Sequence, residues 1–268
     1  NDASGKPSQT FRNLDGTFNY GAIYELNKPT NENVNGSKMV MSNSINRHMW
    51  YGLLSTYNTK LTNNIDFYGG VDVRYYKGVH TNEITDLYGG SFFMDATSNR
   101  PLRSDNDALK ATKLNVGDVV YRDYDGFVFS QGIFGQAEYN QDQLSTFISL
   151  SGSNTTYWRY DRFYYNPENA RSKNTNSLGY CAKGGANFNI DDNNNIFMNV
   201  GVISRAPFFS GGAFLQSTTS NMLNPNGINE KAFSAELGYG YKSRYFSGNL
   251  NIYRTKWMDK TMVVTSTQ

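Results

Sequence analysis

His48 and His80 are the only histidines in the sequence, and Cys181 is the only cysteine. They build no H-E-x-x-H pair, no Cys/His pairing at useful spacing and, with no G-x-S-x-G elbow in the chain, no nucleophile–base constellation. One cysteine also excludes an internal disulfide framework, and Cys181 reads as a small packing residue. His80 reads as a surface or loop-packing histidine. Asp105 with Asp107, and Asp123 with Asp125, could pair as acid and base, but carboxylates in polar loops are ordinarily solvated. The run from Asp191 to Asn195 lacks the spaced ligands and terminal glutamate of a calcium loop and reads as a tight turn. Gly238-Tyr-Gly-Tyr-Lys242-Ser243 superficially resembles a phosphate loop, yet its glycines fall inside a period-two strand. These residues assign no catalytic group, no metal set and no cofactor.

Binding chemistry is better represented. Trp158, Arg159, Tyr160 and Arg162, followed by Tyr164 and Tyr165, form the densest aromatic and basic cluster, with Arg205, Phe208 and Phe209 at the head of a later loop. Aromatic faces with fixed donors suit sugars, aromatic chelates or peptides. The plainer alternative is an aromatic girdle with loop packing.

These side chains must be carried by strands. Aromatics are 15% of the 268 residues, with 25 glycines and 6 prolines, a mixture that favours strands and turns. A net charge of +2 without a basic stripe gives no reason to expect a nucleic-acid partner. No apolar run of transmembrane-helix length occurs, although a membrane barrel, in which alternate residues face lipid, stays open. From Phe127 to Tyr139 the odd positions are mostly apolar and the even ones mostly polar. After a short turn, Leu144, Thr146, Ile148 and Leu150 resume the pattern opposite Ser145, Phe147, Ser149 and Ser151, which is a β-hairpin. Similar hairpins turn at 61–64, 191–194 and 242–245, giving about eight strands of roughly 10–14 residues, long enough for a bilayer. Residues 1–46 read as a polar loop region with a possible inserted hairpin, its strand at Thr17–Glu25, and 47–268 as a partial barrel.

Short polar turns alternate with long connections at 78–125, 157–177 and 205–228. This asymmetry predicts an all-β, antiparallel up-and-down transmembrane barrel segment with periplasmic turns and external loops rather than a Greek-key sandwich. Between their ends the apolar faces carry almost no charge. Asp72, Arg74, Glu138, Lys183 and Glu236 fall on the opposite face, which would line a lumen, and Tyr57, Tyr139, Tyr239 and Tyr241 stand beside short turns, where an aromatic girdle belongs.

The segments HMWYGLLSTYNTKL, GGVDVRYYKGVHTNEITDLYGG, GQAEYNQDQLSTFISLSGSNTTYWRYDRFYY and NVGVISRAPFF resemble the barrel of Bacteroidetes-type TonB-dependent outer-membrane receptors. Most diagnostic is Asn229-Glu230-Lys231 leading into Ser234-Ala-Glu236-Leu-Gly238-Tyr239, and the resemblance spans roughly residues 45 to 262. It implies a 22-stranded barrel filled by a plug, of which this chain would be an internal piece. Implied with it are a Gram-negative outer-membrane location, energised import of a scarce small solute, and contact with the lipid bilayer, the protein's own plug domain and, through the plug, the TonB complex. By this resemblance the lumen-face charges contact the plug. A small passive outer-membrane barrel and a secreted soluble β-protein that binds glycans remain open alternatives.

Overall fold

The computed structural model describes residues 11–29, 36–95, 112–215 and 220–261. Its elements are helix α1 (Tyr20–Asn27) and strands β1 (Met41–Thr62), β2 (Ile65–Asp86), β3 (Phe93–Met94), β4 (Lys113–Leu114), β5 (Val119–Gln141), β6 (Leu144–Asp161), β7 (Thr175–Asn189), β8 (Asn194–Arg205), β9 (Glu230–Lys242) and β10 (Ser247–Met258). Eight strands form one antiparallel sheet in the order β1-β2-β5-β6-β7-β8-β9-β10, and β3 pairs β4 in a two-stranded ribbon within one connection. Every neighbour in the large sheet is the next long strand along the chain. This is the up-and-down meander of a barrel wall.

The register gives the wall its tilt. One ladder row runs Ile65, Tyr139, Thr146, Ala186, Met198, Leu237, Ile252. Ile65 opens β2, whereas Thr146, Met198 and Ile252 lie 2, 4 and 5 residues beyond the first residues of β6, β8 and β10. The row therefore climbs by about one residue per strand if the turns share one level. With roughly 3.3 Å rise per residue and 4.8 Å between strands, that stagger is a tilt of about 35°, the value a closing barrel requires.

Side chains alternate between two faces along every ladder. One face carries Leu53, Val71, Ile133, Ile148, Leu150, Met198, Leu237 and Ile252, all exposed. The other carries Asp72, Arg74, Glu138, Lys183 and Glu236. The buried hydrophobic clusters lie off the apolar face: Ile84, Phe93 and Val120 pack where the long β2–β5 connection folds back, and Tyr157, Ala213 and Phe214 pack under the β8–β9 loop. The apolar face therefore has no protein cover among the described residues.

On the polar face, glycines make room for aromatic rings. A Cβ built on Gly238 would lie 2.1–2.6 Å from the Phe197 ring atoms, so a side chain there would displace the ring. The same holds for Gly185 beneath Phe147, at 2.6 Å. Gly238 thus belongs to a strand rather than a phosphate loop. Gly238→Val is expected to destabilise the sheet by about 1–3 kcal/mol through overpacking, and adding Phe197→Ala should return part of it. Urea titration of the folded protein measures both.

Short turns close the hairpins at the other end of each strand. Asp191 accepts backbone N–H bonds from Asn193 and Asn194, both at 2.8 Å, and the Asn194 side-chain amide at 2.7 Å. The Asn194 side-chain bond and then these backbone bonds hold the Asp191 carboxyl below its ordinary range. The contribution is present above the unfolded carboxylate's pKa and is lost as pH falls through the depressed folded value. An NMR titration of the Asp191 carboxyl carbon should show this lowered midpoint, and Asn194→Ala should raise it.

Three sequence expectations are corrected. The segment expected as a strand at Thr17–Glu25 is instead α1, because the Asn19 side chain caps it, accepting from the Ala22 N–H at 3.0 Å, and Ile23 and Asn27 bury. The connection expected over 78–125 is shorter: β2 runs on to Asp86 and β5 starts at Val119. Likewise β1 begins at Met41, β6 reaches Asp161 and β7 starts at Thr175. Beyond the apolar band both faces are polar, so the strands continue after their periodicity has vanished. Finally, β10 runs on past Tyr253 to Met258, so the face expected to carry almost no charge between its ends also holds Arg254, paired with Ala235, and Lys256, paired with Phe233. Asp105 and Asp107 lie outside the described residues.

Candidate functional site

The polar face is built by alternate residues of the strands of the eight-stranded sheet. A groove of about 480 Å³ near the turns is lined by Gln136, Glu138, Phe147, Asn187, Phe197 and Asn199. Glu138 accepts a hydrogen bond from the Gln136 amide at 2.6 Å. Glu236 accepts from Asn199 at 3.1 Å and from Asn251 at 2.9 Å, which ties three strands together. Asp72 and Arg74 pair at 2.7 Å. Lys183 lines a second groove with Phe147, Asn199 and Glu236. Glu138, Glu236, Asp72 and Arg74 are thus paired within the sheet, and the surface is hydrophilic and wide rather than a closed pocket.

At the loop end, the residues of the sequence cluster separate onto two faces. Trp158 and Tyr160 alternate with Tyr157, Arg159 and Asp161 along β6, so the two sets point to opposite sides. Trp158 stacks on Phe127 at 5.0 Å and contacts Tyr75 at 6.3 Å, forming an aromatic row at the upper end of the apolar face. Beyond this row, Arg162 forks onto Asp123 (2.7 Å) and Asp125 (2.9 Å), and Lys77 reaches Asp125 at 3.0 Å. The hydrogen bond to Asp125, helped by the bond to Asp123, holds the Arg162 guanidinium above its usual range against the opposing effect of burial. Asp123 and Asp125 are therefore ion-paired rather than poised as acid and base.

On the polar side, Arg159 is 2% exposed and Asp161 fully buried, and they pair at 2.8 Å. Asp161 also accepts the backbone N–H groups of Phe163 and Tyr164, at 2.9 and 2.8 Å, which fixes the chain as it leaves β6. Arg159 lies 3.8 Å above the Tyr124 ring and donates to the Ser220 carbonyl at 2.7 Å. The Tyr157 hydroxyl donates to the Pro207 carbonyl at 2.7 Å, and Phe209 and Phe214 pack beside Tyr157. The Phe209 ring sits over Gly126, where a Cβ would meet it at 3.0 Å. The β8–β9 loop thus folds back across the polar face and docks on β5 and β6. Arg159 and Phe209 hold that loop. Arg205 pairs with Glu230 at its base, while Phe208 stays 58% exposed with the Arg205 guanidinium 5.1 Å from its ring.

His80 stacks on Tyr124 at 4.8 Å and bonds Asn46 at 2.6 Å, and His48 bonds the Tyr76 hydroxyl. Each histidine is thus placed by aromatic and polar neighbours, and among the described residues no group of three or more His, Cys, Asp or Glu side chains is arranged to hold a metal. Tyr157 and Asp161 are the anchoring residues that sequence reasoning did not single out, while Glu230 stood out only as part of the Asn229-Glu230-Lys231 motif. Their signal is positional: Tyr157, Arg159 and Asp161 share a parity, which puts them on one face.

The fold and this two-faced wall define a segment of an antiparallel β-barrel. The structure is similar to the ferric citrate transporter FecA in its unliganded form, with a TM-score of 0.56 and 9% sequence identity, over 83% of this chain and 29% of that one. The chain thus spans under a third of the length of that transporter. No protein-family model and no curated protein matches the sequence.

Proposed function

We propose that this chain is a wall segment of a TonB-dependent outer-membrane receptor of the Bacteroidetes type, which imports a scarce small solute. The observation that carries this is the exposed apolar face on a staggered eight-stranded meander with short turns at one end and long loops at the other. An uncovered apolar surface of this extent needs lipid or a partner. Unpaired strand edges need further strands, because only a closed barrel satisfies every backbone group in a bilayer. The similarity to FecA supports a transporter barrel as the setting.

In this reading the apolar face meets lipid. The polar face lines the lumen, where Asp72, Arg74, Glu138, Lys183 and Glu236 face the protein's own plug domain. TonB acts through the plug to open the path. The wall's contribution is mechanical: it excludes lipid, holds the plug and fixes the loops. Solute capture falls to the loop end of the lumen, where Arg205 and the exposed Phe208 offer a cation beside an aromatic face. Arg159 and Phe209 position the loop that carries them.

The intact mass of the native polypeptide in the source organism's outer-membrane fraction tests this. A mass several times 30.2 kDa, with solute uptake that depends on TonB, is expected. A membrane-bound species near 30.2 kDa would favour a small passive barrel, and absence from the membrane would leave a soluble β-protein.

A further inference from the structure

The two histidines meet on the polar face of β1 and β2. His48 stands opposite Gly78 and Asn46 opposite His80, so His48 and His80 are diagonal neighbours across the strand pair. Diagonal neighbours of this kind are roughly 7–8 Å apart, within reach of aromatic and long side chains. His80 is fifteen residues beyond the start of β2, which at the tilt given by the register is roughly 40 Å above the turn. An apolar band of about 25 Å ends well below that level. The pair therefore stands in the part of the wall that meets water.

Gly78 leaves room between them. A Cβ on Gly78 would lie 2.8 Å from the Tyr76 hydroxyl and 3.1 Å from His80 Nε2, so these two atoms converge over the glycine. His80 Nδ1 is 2.6 Å from Asn46 Oδ1. A carboxamide oxygen only accepts, so Nδ1 carries the proton and Nε2 presents its lone pair. Stacking on Tyr124 at 4.8 Å fixes the plane of that ring. His48 bonds the Tyr76 hydroxyl through Nδ1, which leaves Nε2 of this exposed ring without a role in that bond. Each imidazole is thus held at Nδ1 by an oxygen partner, the support by which proteins orient histidine ligands toward a metal.

We infer that His48 and His80 form a two-histidine site for a divalent first-row transition-metal ion, with water completing its shell. Imidazole nitrogens suit copper, zinc and nickel. Two side chains are one short of a three-ligand protein site, so the ion stays exchangeable. Arg122, which donates to Ser44 one row beyond Asn46, opposes the ion's charge and lowers the affinity. A bound ion clasps β1 to β2 above the apolar band. The site depends on the register of these two strands and not on which solute the protein carries.

The test uses the full-length polypeptide in detergent, titrated with Cu²⁺ alone and read by pulsed EPR, which counts coordinated imidazoles. The difference between wild type and His48→Ala/His80→Ala should be one Cu²⁺ ion with two imidazoles. Either single substitution should remove that two-imidazole signature. Asn46→Ala keeps both ligands, so it should preserve the signature while weakening Cu²⁺ binding by about tenfold or more. Circular dichroism confirms that each variant retains its sheet. A Cu²⁺ signal unchanged in the folded double variant, or a difference signal with fewer than two imidazoles, overturns the inference. Neither result bears on the membrane-wall reading, because the readout is the same whether or not the protein enters bilayers.

Discussion

Arg159→Met is expected to destabilise the loop-end structure by about 3–5 kcal/mol, because it strands a buried carboxylate without its partner. Asp161 is fully buried, and its ion pair with Arg159 is 2.8 Å long. The same arginine also holds the β8–β9 loop through the Ser220 carbonyl and the Tyr124 ring. Removing it therefore undoes two connections at once. Limited proteolysis of the folded protein should show new cleavage within 162–174 and 206–228 while the eight-stranded wall stays resistant. Replacing both partners, as Arg159→Met with Asp161→Leu, should recover part of the lost resistance, since no charge is then left unpaired in the interior. Recovery will be incomplete, because Asp161 also accepts the Phe163 and Tyr164 backbone N–H groups.

Leu150→Lys and Ser151→Lys should differ sharply although the residues are adjacent. Leu150 is 55% exposed on the apolar face, in one row with Gly135 and Ala182. It lies six residues beyond the start of β6, roughly 16 Å up at the tilt inferred from the register. A lysine near the middle of the lipid band costs about 2–4 kcal/mol. Ser151 shares the polar face with Phe134 and Cys181, and lysine there should stay within about 0.5 kcal/mol of wild type. Urea unfolding from lipid vesicles measures the two side by side. Equal effects would mean that the apolar face does not see lipid.

The middle of the wall was legible in the sequence because lipid and water impose a period of two there. Ile148 and Leu150 against Ser149 and Ser151, and Met198 and Val200 against Asn199 and Gly201, fix strand, face and turn together. The same physics hid the upper strands. Around Val79–Ile84 and Val119–Tyr124 both faces meet polar or loop surroundings, so β2 and β5 continue with no alternation to mark them. Tyr121 even takes a positive φ of 66° near the register irregularity opposite Thr81 and Glu83, which breaks any simple pattern. The helix α1 was missed because Phe18, Tyr20, Ala22 and Tyr24 alternate like a strand, while its deciding feature, the Asn19 cap, is a single side-chain bond.

The candidate binding residues were legible as types but not as an assembly. Density along the chain grouped Trp158, Arg159, Tyr160 and Arg162, yet parity within β6 divides the first three between two faces. Only the docking of the β8–β9 loop, a contact across about fifty residues of sequence between Tyr157 and Pro207, shows that Arg159 and Phe209 also anchor that loop. That long-range contact leaves no local periodicity.

The most direct test of the central claim is a nitroxide scan of Leu144 to Ser153, one residue at a time, in the full-length protein reconstituted into lipid vesicles. Accessibility to oxygen should peak at Leu144, Thr146, Ile148, Leu150 and Gly152, the positions assigned to lipid. Accessibility to a water-soluble nickel chelate should be lowest at those positions, with a period of two through the segment. High chelate accessibility at Ile148 and Leu150 would show that this face meets water, and the membrane-wall reading would fail.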